Sequence, residues 1–71
     1  QTNAQRSLYH NLGKNESLAL SLDEAIKRVK KADWRGNQQK ENEIKAALFN
    51  ILKDKNEVER IFLIIKQQNE Y

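Results

Sequence analysis

Seventy-one residues allow one domain at most, and a chain of this length hides only about 60% of the surface its unfolded form exposes, so its stability should be modest. The absence of cysteine excludes a disulfide staple and a thiolate metal site, fits a reducing cytoplasm, and leaves packing alone to hold the fold, with help from a partner or parent chain. Thirteen basic side chains against ten acidic ones give a formal charge of +3, which permits an anionic partner but lacks the excess of a dedicated nucleic-acid arm.

Residues Gln1 to Gln5 open the chain without an initiator Met and without a basic-then-apolar leader, so they read as a cut inside a longer polypeptide rather than as a signal peptide. With no proline, and both glycines between periodic segments, the local preferences favour helix nearly throughout. The expected fold is all-α, a small bundle of four helices over residues 1–71.

The first helix is predicted over about Asn3 to Leu12, with Ala4, Leu8 and Leu12 on one stripe and Gly13 placed for a left-handed C-cap. Ser21 and Glu24 have capping-box spacing, and Leu22, Ala25, Ile26 and Val29 follow at helical period, so the second helix is predicted from Ser21 to Ala32. Asp33-Trp34-Arg35-Gly36-Asn37 breaks that period, Gly36 being free to take positive φ and Asn37 suited to cap the next helix.

The third helix, about Gln38 to Lys53, carries a broad stripe of Ile44, Ala47, Leu48, Ile51 and Leu52 and reads as the central one. Asn56 and Glu59 form a second capping pair before a last helix with Val58, Ile61, Phe62 and Ile65 facing the core. Its apolar run, Ile61 to Ile65, is far below the roughly 20 residues that span a bilayer, so a soluble protein with no membrane partner is expected. Leu63 and Ile64 project to the two sides of the last helix's stripe, where a monomeric domain has difficulty burying both, and Phe49 lies off the third helix's stripe, which suggests neighbours on two flanks; apolar contacts with another subunit are expected from these three.

The catalytic inventory is poor, with one His, no glycine-rich phosphate loop and no His or carboxylate pair at metal-ligand spacing, so no active site and no cofactor are expected in this segment. His10, beside Tyr9 near a helix end, reads as solvated or cap-assisting. The richest charge cluster is Lys27, Arg28, Lys30, Lys31 and Arg35. Asp23 and Glu24 stand four residues before Lys27 and Arg28 and account for those two. Lys30, Lys31 and Arg35 have no local partner, and three free cations at a bend beside a helix N-terminus suit phosphate oxygens.

Trp34 could stack on a base but reads as the plug of a small core, its indole N–H bonded to a nearby carbonyl. Asp33, Gly36 and Asn37 are expected to shape the turn that presents Arg35. Lys40 lies on the inward stripe in a first turn that disfavours cations, so it should reach Asp33 across the turn, an external phosphate or a subunit.

Asp33-Trp34-Arg35-Gly36-Asn37, with Lys40-Glu41 and the run from Ile44-Lys45 to Ala47-Leu48, resembles the C-terminal segment of type I restriction enzyme motor subunits. Arg6-Ser7-Leu8-Tyr9 with Asn11-Leu12, and the stretch from Ile61-Phe62 to Gln68 and Glu70-Tyr71, are similar to that family's flanking segments, so the resemblance covers nearly the whole chain. It implies a parent subunit that hydrolyses ATP with magnesium, translocates DNA and cuts it, at sites outside this segment. It also implies docking to the specificity and modification subunits of a methyltransferase core and contact with DNA outside the motor. The alternative is a purely structural interaction domain that completes the parent subunit and never meets nucleic acid.

Overall fold

Within residues 2–71, which the computed structural model describes, the chain forms α1 (Asn3–Asn11), α2 (Glu16–Val29), α3 (Gln38–Leu52) and α4 (Lys55–Lys66), with no strand. Gln1, where the supposed cut begins, lies outside the described residues. Among the described residues, no helix is long and apolar enough to cross a membrane.

Each start has a local cause. Thr2 and Gln5 form a reciprocal capping box on α1, the Thr2 hydroxyl accepting from the Gln5 N–H at 3.1 Å and the Gln5 amide oxygen from the Thr2 N–H at 3.2 Å. The helix ends before Gly13 and Lys14, both in the left-handed region.

The second helix begins five residues before the Ser21 start expected from sequence, because the Asn15 side chain accepts from the Leu18 N–H at 3.0 Å and Ala19 extends the buried stripe of Leu22 and Ile26. Ser21 is an exposed mid-helix residue, and its capping-box spacing with Glu24 is incidental. The helix also stops at Val29 rather than Ala32; Lys30 is extended, and the chain turns so that Trp34 enters the core.

Asn37 caps α3 as expected, accepting from the Lys40 N–H at 3.0 Å. For α4 the cap is Asp54 and not Asn56: the Asp54 carboxylate accepts from the N–H groups of Asn56 and Glu57, placing a negative charge at the positive end of the helix dipole.

Packing runs in a ring, α1 on α2, α2 on α3, α3 on α4 and α4 back on α1. No helix is therefore central; α2 and α3 each pack on two neighbours as α1 and α4 do. Leu8, Leu22, Ile26, Ile44, Leu48, Ile61 and Ile65 are wholly buried, with Trp34 set edge-on to Phe62 at 6.0 Å between ring centroids. The Cα radius of gyration is 11.0 Å, matching the roughly 11 Å of a well-packed chain of this length.

Candidate functional site

The bend between α2 and α3 borders a cleft of about 420 Å³ lined by Lys30, Lys31, Ala32, Asp33, Trp34, Arg35 and Tyr71. Two left-handed residues make the bend, Asp33 at φ 58° and Gly36 at φ 82°, and a hydrogen bond from the Asn37 N–H to the Trp34 carbonyl at 3.1 Å closes it. Glu41 reaches back one turn to accept from the Gly36 N–H at 2.7 Å and also pairs with Lys66 at 3.1 Å. The Gly36 hydrogen bond and then the Lys66 ammonium hold its carboxyl below the ordinary glutamate value. Asp33, Gly36 and Asn37 thus shape the turn as their residue types suggest.

The turn does not present Arg35 to solvent as an open fork. Its guanidinium lies 4.6 Å from the Trp34 ring centroid and donates to the main-chain oxygens of Lys66 at 3.1 Å, Tyr71 at 3.1 Å and Gln68. A cation set against the carbonyls that end α4 complements the helix dipole, so Arg35 fastens the end of the chain to the bend.

Lys31 pairs with Glu43 at 3.2 Å, both side chains being exposed, an arrangement contributing about 0 to 1 kcal/mol. Lys30 is half-buried and forms no ion pair among the described residues. Lys27 meets Asp23 at 3.0 Å as its spacing suggests. Arg28 does not meet Glu24: both are exposed, and Arg28 has no ion pair among the described residues.

Lys40 crosses the turn to the Ala32 carbonyl at 2.9 Å rather than to the Asp33 carboxylate. Its inward position thereby has a structural cause. Trp34 is buried as a core plug, but its indole N–H finds no acceptor among the described residues, contrary to the expected carbonyl bond.

Of the residues expected to contact another subunit, Leu63 is 62% exposed and Phe49 45% exposed. Phe49 edges a groove of about 540 Å³ between α3 and α4 with Ala46, Val58 and the stems of Lys45 and Lys55. Ile64, in contrast, packs half-buried against the core.

Sequence reasoning missed Asp23 as a buried hub. Its carboxylate, 2% exposed, accepts from the Tyr71 hydroxyl, from Gln5 Nε2 at 2.9 Å and from Lys27. Burial alone would raise its pKa; the bonds from Tyr71, Gln5 and Lys27 outweigh that and leave it below the ordinary aspartate value. Burial, and then the neighbouring Asp23, push the Tyr71 phenol far above its usual range. The available signal was positional: Asp23 stands four residues after Ala19 and three before Ile26, on the edge of the buried stripe.

Among the described residues no three His, Cys, Asp or Glu side chains gather to hold a metal ion. No known protein family, curated protein or solved structure matches the chain.

Proposed function

We propose that this chain is a non-catalytic binding domain, the C-terminal helical part of a type I restriction enzyme motor subunit, acting in the cytoplasm in complex assembly and in sequence-independent contact with the DNA backbone. The observation that carries the DNA reading is the state of the cations at the bend. Among the described residues, Lys30 has no carboxylate partner, Lys31 has only an exposed one, and Arg28, exposed on α2, forms no ion pair. An exposed ion pair in water contributes little, so Lys31 can exchange Glu43 for a phosphate at small cost. Arg35 supports the turn beneath these lysines, and Lys27 is occupied by Asp23.

The test is a Lys30→Glu/Lys31→Glu double variant titrated with a short DNA duplex over a range of salt. For every phosphate that the variant no longer neutralises, the dependence of log affinity on log salt should flatten by about 0.9. A wild-type affinity independent of salt, or an unchanged slope in the variant, would remove the backbone role.

A specific observation favours a second reading, in which the domain serves assembly alone. Leu63 is mostly exposed in the last turn of α4, and Phe49 stands beside an apolar groove. On this reading Leu63→Asp abolishes capture of the specificity and modification subunits, since a charge would be desolvated in an apolar contact, while the lysine reversals are silent.

A further inference from the structure

Arg35 belongs to two structures at once, the wall of the cleft and the fastening of the residues that follow α4. Those residues, 67–71, are not helical, and largely polar contacts hold them. Arg35 donates to the main-chain oxygens of Gln68 and Tyr71, Glu70 accepts from the Ala4 N–H at 2.7 Å, Gln68 Nε2 reaches Ser7 Oγ at 3.4 Å, and the Tyr71 hydroxyl donates to Asp23. The Tyr71 ring is their one buried apolar anchor. Segments with so little buried apolar surface open at lower cost than packed helices.

We propose that residues 67–71 form a strap that phosphate binding at the bend releases, with Arg35 as the contested group; this rests on the DNA-backbone reading above. All the guanidinium nitrogens, Nε, Nη1 and Nη2, already donate to main-chain oxygens. A phosphate needs two parallel N–H groups for a bidentate contact, and its charge makes it a stronger acceptor than the neutral carbonyls of Lys66 and Gln68 that occupy Nε and Nη2. Lys30 and Lys31 lie on the same cleft and attract it there, while Tyr71 itself lines that cleft, so its departure widens the opening.

A ligand shifts a conformational equilibrium only by its differential affinity for the two states, and the difference here is the freed fork of Arg35. The closed strap therefore lowers the apparent affinity of the chain for phosphate, and loosening it raises that affinity.

The experiment uses the 71-residue chain and a labelled short DNA duplex, with binding read by anisotropy and strap opening by amide hydrogen exchange. Duplex binding should speed exchange at the Ala4 amide, bonded to Glu70, and at the Gln68 amide, bonded to Ile65, while the amides of α3 stay protected. Tyr71→Phe and, independently, Glu70→Ala, which removes the acceptor of the Ala4 N–H, should each tighten duplex binding about two- to tenfold, the equivalent of one hydrogen bond. Arg35→Lys, which has no fork, should abolish that gain; a gain from Glu70→Ala that survives Arg35→Lys would be an effect of charge alone and would overturn the strap. Should Tyr71→Phe fail to fold, the surface variant Glu70→Ala carries the same test.

Unchanged protection at Ala4 and Gln68 on binding, or strap variants that bind like wild type, would overturn the strap and leave the backbone reading standing. No binding of duplex by wild type or by either strap variant would overturn the backbone reading and the strap with it.

Discussion

Replacing Asp23 by Ala removes the acceptor on which Tyr71, Gln5 and Lys27 converge. Gln5 and Lys27 are partly exposed, so water replaces the carboxylate for them and the loss there is small. Tyr71 is buried, and its hydroxyl loses a charge-assisted bond of about 1.5 to 3 kcal/mol and is left without an acceptor, a further cost of about 1 kcal/mol or more. The expected destabilisation is about 3 kcal/mol, against a total stability of about 4 to 10 kcal/mol for a chain of this length.

Urea unfolding followed by the emission of Trp34, the single tryptophan, measures it directly. Adding Tyr71→Phe to Asp23→Ala removes the orphaned hydroxyl, so the double variant should recover about 1 kcal/mol relative to Asp23→Ala alone. An Asp23→Ala loss below about 0.5 kcal/mol, or a double variant no more stable than the single, would refute the assignment of Asp23 as the hub.

Because the folded state holds the Asp23 carboxyl below its ordinary value, the unfolded chain takes up that proton first as pH falls. The Asp23 contribution is thus complete above about pH 5 and is lost as pH drops below about 4; Asp23→Asn should flatten the acid-unfolding profile in that window, and an unchanged profile would contradict the assignment. Asp54→Ala should cost about 1 kcal/mol through loss of the α4 cap, while Asn56→Ala stays within a few tenths, a contrast that chemical denaturation resolves. Leu63→Gln, which keeps helix propensity and charge nearly unchanged, should change the stability of the isolated chain by less than about 0.5 kcal/mol, since the Leu63 side chain is mostly exposed; a larger loss in the same assay would place Leu63 in the folded core.

The helices and their inward stripes were legible because each rests on a period within a few residues: Ile44 and Leu48, or Ile61 and Ile65, declare their face without reference to the rest of the chain. Gly13 and Asn37 were legible for the same reason. The starts of α2 and α4 were misread because capping spacing is not unique; Ser21 with Glu24 and Asn56 with Glu59 have the right pattern, yet Asn15 and Asp54 stand earlier and hold the N–H groups.

Arg35 and Asp23 were misread for a different reason. The partners not expected from sequence lie 18 to 48 residues away, at Lys66, Gln68 and Tyr71 for Arg35 and at Gln5 and Tyr71 for Asp23, and no local period carries such a contact. Charge counting along α2 assigned Arg28 a partner it does not have and overlooked the ones that Arg35 does have. Lys30 and Lys31 both line the cleft at the bend, but neither that cleft nor the fastening of its Arg35 wall has a signature within a few residues of the bend.

The bond between the Ala4 N–H and the Glu70 carboxylate brings the two ends of the described chain side by side. A short linker could therefore join them without disturbing the ring of helices, and a new break at the left-handed pair Gly13 and Lys14 would yield a circular permutant with the same core. The same closeness would let the whole unit be grafted into a surface loop of an unrelated host, entering and leaving at one spot.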